Sequence, residues 1–248
     1  MDRVKRFRVA RADAALAVLE GFHAVKHALR FGADILEAVA SADASPDELT
    51  AVLAPDLEDR LVPLAERVPQ EEFAALSPHP HPTGIMALAR RPSIDLEGML
   101  ADRRPGRIVL LEAPRRLENV GAVIRVAAAA NAAGVLTTGD ADPWHPVALR
   151  GSVGLHFALA VARVEDVPET DRPLIGLHPD GEPLRPEAVL PRALIAFGTE
   201  RRGLSAGLRA RADALRRIPM RQGVSSLNLA TAVAVTLYAP LLSERGRP

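Results

Sequence analysis

The sequence predicts an α/β protein whose C-terminal part is built on a mostly parallel sheet and is preceded by a smaller α/β part. Three observations predict it. Beyond residue 105, short apolar runs alternate with helical patterns, as they do when parallel strands are joined by helical crossovers. A polar stretch containing Arg91-Pro92 and Arg103-Arg104-Pro105-Gly106 interrupts regular structure and divides the chain near residues 91–106. The 248 residues, 48% of them apolar, can bury one large core or two modest ones.

In the N-terminal part, residues 13–29 have helical periodicity with a break at Glu20-Gly21. Residues 35–40 read as a strand, 46–53 as a helix and 84–89 as a strand, while Pro78-His79-Pro80-His81-Pro82 is an extended loop. After the connector, strands are expected at 108–111, 135–138, 159–164, 174–177, 194–197 and 215–219. Helices are expected at 120–133, 205–211 and 226–242.

Composition excludes several classes. With no cysteine there are neither disulfides nor cysteine-based zinc sites. The basic N-terminus lacks the apolar core of a secretory signal, because Arg11 and Asp13 interrupt it. The longest apolar run, 229–242, falls short of the roughly 20 residues that span a bilayer. A soluble, cytoplasmic protein without membrane contact is therefore expected. The phosphate-cradling glycine patterns of dehydrogenases and NTPases are missing.

The 31 basic and 31 acidic residues cancel, whereas nucleic-acid binders usually carry an excess of positive charge. The basic residues are nearly all arginine and gather at 3–11, 103–107, 115–116, 201–202 and 209–221. Arginine forks match phosphates; an Arg- and Ala-rich coding bias accounts for them equally well. His23 and His27 share a helix face, but no third ligand cluster accompanies them, and no metal site is read. Trp144 is either a packing anchor or a stacking surface for an RNA base.

Ligands of open α/β sheets bind beyond the carboxyl ends of the strands, and three segments fall there. Asn119-Val120-Gly121-Ala122-Val123-Ile124-Arg125 follows the strand at 108–111, with Asn119 placed to cap a helix. Gly198-Thr199-Glu200-Arg201-Arg202-Gly203-Leu204 follows the strand at 194–197. Ile218-Pro219-Met220 leads through Gly223 to Ser226-Leu227-Asn228, where a helix start offers backbone N–H groups and small polar side chains to a compact ligand. Taken singly, Asn119 and Ser226 are also plain helix caps, Arg125 a surface residue and Glu200 a solvated loop charge.

Together and in this order, the three segments resemble the three motifs of the SpoU (TrmH-like) RNA ribose methyltransferases, within the SPOUT superfamily. Arg150-Gly151-Ser152-Val153-Gly154 resembles that family's segment between motifs one and two. Residues 19–25 and 84–87 resemble the ribosomal-protein-like RNA-binding domain that many members carry. The resemblance implies an RNA-binding domain at about 1–95 and, at about 105–248, a trefoil-knotted S-adenosylmethionine-dependent methyltransferase domain that works as a homodimer with shared active sites.

It further implies that Gly198, Ile218, Met220 and Leu227 hold the cofactor. Arg125 acts on the ribose 2′-hydroxyl, and Asn119, Glu200, Ser226 and Asn228 support it. Ribosomal RNA is the first expectation for the substrate and transfer RNA the second. A base-methylating relative and an inactive RNA-binding protein of the same fold are the alternatives. Two departures are visible: Gly223 stands third after Met220 where the family usually has glycine first, and Val126 replaces a usual threonine.

Overall fold

The computed structural model describes residues 2–199 and 202–244. The chain forms two compact units: residues 1–93 with 144–158, and residues 94–143 with 159–248.

The first unit runs α1 (Arg3–Ala10), β1 (Leu16–Glu20), α2 (Phe22–Arg30), β2 (Ile35–Ser41), α3 (Pro46–Leu53), α4 (Glu58–Leu64), β3 (Ala65–Val68), α5 (Gln70–Ala75) and β4 (Ile85–Arg90). Its sheet has the order β1-β4-β2-β3, with β4 antiparallel to both neighbours and β3 parallel to β2. Phe7, Val18, Val39, Phe73, Met86 and Leu88 form its core. The helical pattern expected over 13–29 is instead a strand followed by a helix. Ala17 to Glu20 are all buried, and a run buried on both faces satisfies either period. The unexpected α1 is held by pairs distant in sequence, with Arg3 donating to Glu37, Glu66 and Glu72 at 2.6 Å each.

The second unit begins with α6 (Leu96–Ala101), β5 (Ile108–Leu111), α7 (Leu117–Ala129) and β6 (Gly134–Thr137). The chain then leaves it for α8 (Pro146–Gly151) and a 3-10 turn at Leu155–Ala158, both part of the first unit. The sequence gives no sign of this excursion. The second unit resumes with β7 (Ala160–Arg163), β8 (Leu174–Pro183), β9 (Leu194–Phe197), α9 (Ala206–Arg211), β10 (Ala214–Arg217) and α10 (Leu229–Glu244). All six strands are parallel, in the order β10-β8-β9-β5-β6-β7.

Every residue of β5, β6 and β9 is buried, as expected of parallel strands covered on both faces. One face carries Ile108, Leu110, Leu136, Leu194 and Ala196 against Leu100, Leu204 and Leu208. On α7, Val120, Val123, Ile124 and Ala127 make the buried stripe, and α10 packs along this helix. Arg172 is 3% exposed and spends its guanidinium on main-chain carbonyls, including those of Met99, Leu100 and Gly106 at 2.7–2.9 Å. It thereby satisfies the carbonyl end of α6.

Residues 144–158 pack tightly onto the first unit. Gly154 has φ +78°, and a Cβ there would stand 2.3 Å from the Ala24 carbonyl oxygen, so only glycine lets the two backbones approach. His27 Nδ1 donates to the Val153 carbonyl at 2.8 Å, and burial holds its imidazole below the ordinary pKa despite that bond. Trp144 is buried against the rings of His156 and Phe157, at 4.9 and 5.2 Å. Trp144 is thus a packing anchor within this unit.

At the centre lies the buried Glu20 carboxylate, which accepts from Arg150, from Arg11 at 2.5 Å and from Ser77 Oγ at 2.7 Å. Burial pushes this carboxyl up, but the bonds from Arg150, Arg11 and Ser77 outweigh it and hold the pKa below the ordinary 4.5. A depressed carboxyl stabilises the fold fully above its unfolded pKa, and the contribution fades as pH falls through the folded value. Glu20→Gln should therefore cost about 3 kcal/mol at neutral pH, and the gap to wild type should close as pH drops below about 4.5. Urea unfolding followed by fluorescence of Trp144, the sole tryptophan, reads this unit directly; an equal gap at pH 7 and pH 3 would contradict the assignment.

Candidate functional site

In the second sheet the chain steps from β5 outward to β6 and β7, then returns on the other side through β8 and β9. The reversal lies between the adjacent β5 and β9, whose last residues, Leu111 and Phe197, are register partners. Loops leaving two such strands diverge and open a crevice. A cavity of about 1080 Å³ lies there, lined by residues that follow β5, β9 and β10 together with His178 and Pro179 of β8.

The loop after β5 is fixed by a strained turn. Ala113 has φ +42°, its N–H donates to Thr138 Oγ1 at 3.0 Å, and Glu112 N–H donates to the Phe197 carbonyl at 2.9 Å. The helix that follows starts at Leu117 with Arg116 in the cap position, so Asn119 is not the cap expected from the sequence. It lies in the first turn, where its Oδ1 accepts from Asn228 Nδ2 at 3.1 Å. The last helix likewise starts at Leu229 rather than Ser226. Asn228 caps it, its Oδ1 accepting from Ala230 N–H at 2.9 Å. The first and third segments thus meet through two asparagine side chains.

In the second segment Gly198 lines the cavity. A Cβ on it would stand 1.9 Å from the Gly203 carbonyl carbon, because Thr199 and Gly203 pair across the loop. Glu112 Oε2 accepts from Ser205 N–H at 2.8 Å and so ties the end of this loop to β5. Glu200 lies outside the described residues.

The third segment is not a buried strand end. Strand β10 stops at Arg217, and residues 219–228 are exposed. Met220 is 37% and Leu227 39% exposed, yet both line the cavity with Ile218 and Ser226. Apolar side chains left open around a cavity suit a ligand with an apolar face.

Of the residues expected from the sequence, Asn119, Gly198, Ile218, Met220, Ser226, Leu227 and Asn228 line one cavity. Arg125 does not. It is exposed on α7, nearly two turns beyond Asn119. In the sequence Arg115, Arg116 and Arg202 stand out only as members of charge clusters, and nothing there marks His178; all four line the cavity. Among the described residues, no helix is long and apolar enough to cross a membrane.

Residues 106–238, more than half of the chain, match the model of the SpoU rRNA methylase family. An uncharacterized tRNA/rRNA methyltransferase of Mycobacterium bovis is 34% identical over 169 residues, which cover 62% of this chain and 58% of that protein. The 23S rRNA (uridine(2479)-2′-O)-methyltransferase of Streptomyces viridochromogenes is 32% identical over 176 residues, covering 63% and 59%. The chain thus spans about three fifths of the length of these curated relatives. The crystal structure of the SpoU methyltransferase AviRb from Streptomyces viridochromogenes, in complex with the cofactor AdoMet, shares the fold with a TM-score of 0.78. Its sequence identity is 22%, and 100% of both chains is covered.

Asn228 carries two separable roles, a helix cap and a link to Asn119. Asn228→Ala removes both and should lower stability by about 1 kcal/mol or more. Asn228→Asp keeps the cap but cannot donate to Asn119, so it should cost clearly less in urea unfolding followed by circular dichroism. Equal losses would assign the stabilisation to the Asn119 bond instead.

Proposed function

Because the chain belongs to the SpoU rRNA methylase family, we propose that it transfers a methyl group from S-adenosylmethionine to a ribose 2′-hydroxyl of RNA. Ribosomal RNA is the first candidate substrate and transfer RNA the second. The observation that carries the reading is the convergence of three separate segments on one cavity, with Asn119 bonded to Asn228 across 109 residues. The cavity also fits the cofactor. Ile218, Met220 and Leu227 offer an apolar wall for a purine, and Gly198 brings backbone close where a side chain cannot. When bound, S-adenosylmethionine supplies a methyl group already activated by a sulfonium.

The chain's own contribution is positioning, which can lower a barrier by about 7–11 kcal/mol. Asn119 and Asn228 hold the loops of the first and third segments in register beside Ser226, while a supporting role for Glu200 rests on the resemblance alone. Arg125 acts on the ribose hydroxyl. Its guanidinium carries only N–H donors and no acceptor, so it does not serve as a base. It orients the hydroxyl and the adjacent phosphate, and the proton passes to solvent.

Arg125 is exposed and outside its own chain's cavity, which supports a homodimer in which it serves the partner's site. The outer face of α10 supports the same reading, since Val235 is 40% and Leu242 68% exposed on the helix that packs along α7. In this reading the domain at about 105–248 is trefoil-knotted and catalytic, the part at about 1–95 selects the RNA, and the protein works in the cytoplasm.

The test is incubation with methyl-labelled S-adenosylmethionine and ribosomal RNA from cells lacking the gene, followed by digestion to nucleosides. Label on 2′-O-methyl nucleosides is expected; label on a base would replace the reading with base methylation. Arg125→Ala should reduce transfer by about 100-fold or more, while calorimetric S-adenosylmethionine affinity stays within about threefold. Loss of both together would contradict the division of roles.

A further inference from the structure

Six arginines line the cavity, Arg115, Arg116, Arg202, Arg216, Arg217 and Arg221, and no carboxylate does so among the described residues. Two of them are engaged: Arg216 Nη1 donates to Glu182 at 2.5 Å and Arg217 Nη1 to the Gly181 carbonyl at 2.7 Å. Arg115, Arg116 and Arg221 are exposed and carry no ion pair among the described residues. A chain with 31 basic and 31 acidic residues has no need to gather cations on one rim. Like charges there repel one another, and a polyanion seated on them relieves that repulsion.

Placement sharpens the point. Arg115 and Arg116 follow the strained turn at Ala113, which the Thr138 hydroxyl pins in place. Arg221 stands where the resembling motif usually has glycine, so the departure in the third segment puts a cation on the cavity rim. The strands that lead into these loops, β5 and β10, are separated by β9 and β8. Three strand spacings amount to about 14 Å, well beyond the rise of about 3.4 Å for one stacked nucleotide.

We infer that Arg115 and Arg116 on one side of the cavity, and Arg221 on the other, grip RNA backbone phosphates flanking the nucleotide presented to the site. The inference rests on the methyltransferase reading and adds the residues that hold the strand. Contacts of this kind fix position without reading sequence, and exposed arginines can reach the phosphates of an unpaired strand.

The triple variant Arg115→Gln/Arg116→Gln/Arg221→Gln tests it. Binding of a fluorescein-labelled 20-nucleotide oligouridine is measured by anisotropy across salt concentrations, and S-adenosylmethionine binding by calorimetry. Each phosphate contact to a single strand contributes about 0.7 to the slope of log affinity against log salt, so the triple variant should lose about 2. A matched triple at the exposed Arg103, Arg104 and Arg163, which do not line the cavity, should keep the wild-type slope.

An unchanged slope in the first triple, an equal loss in the control, or no oligouridine binding by wild type would overturn the inference. Weakened S-adenosylmethionine binding at an unchanged slope would reassign the arginines to the cofactor's carboxylate. Wild type that binds no S-adenosylmethionine would instead sink the methyltransferase reading itself, so the two failures are distinct.

Discussion

The parallel pairing of β5 with β9 is the constraint on which the second unit depends. It places Leu111 beside Phe197, and it forces the chain to leave those strands in different directions. Everything in the crevice follows from that choice. The turn at Ala113 is strained because the chain must swing from β5 into α7 within a few residues, and Gly198 is glycine because its loop folds back on itself at once. Had the strands followed one another in sequence order, these loops would have opened at separate points along the sheet edge.

Hydrogen bonding completes what topology begins. Neither Asn119 nor Asn228 is held by packing alone; the first lies in an opening helical turn and the second precedes one. Their mutual bond joins α7 to α10 at the end where both helices approach the cavity. A carboxamide suits the place because it donates and accepts at once. Asn228 uses its oxygen as a cap and its nitrogen as a link, a division that no carboxylate or hydroxyl of that size reproduces as well.

Much of this was legible in the sequence, and the reasons differ by element. Strands at 108–111 and 194–197 and the helix at 46–53 fall where expected, because their apolar runs are short and clearly bounded. The strand at 16–20 was hidden because burial on both faces erases periodicity. Helix α1 was hidden because its apolar stripe, Val4, Phe7 and Ala10, is short and set among basic residues, and ion pairs to Glu37, Glu66 and Glu72 distant in sequence help hold it. Seven candidate residues share the cavity because motif order carries topology with it. Arg125 stands apart because spacing along a helix specifies its face, not what that face meets. The rim arginines were visible as composition, but the local sequence around Arg115 does not distinguish a cavity rim from any other surface.

The passage of residues 144–158 through the first unit bears on how such proteins can be recombined. Glu20, His27 and Ala24 form a seat for a stretch of chain that begins and ends in the other unit's sheet, between β6 and β7. The first 93 residues are therefore not the whole of their unit, which also takes in residues 144–158. A shuffling event that exchanges the first 93 residues at a single junction leaves Arg150, Trp144 and Gly154 facing a foreign surface. Functional chimeras would require a second junction on each side of the inserted stretch, or co-inheritance of the seat and the segment it receives.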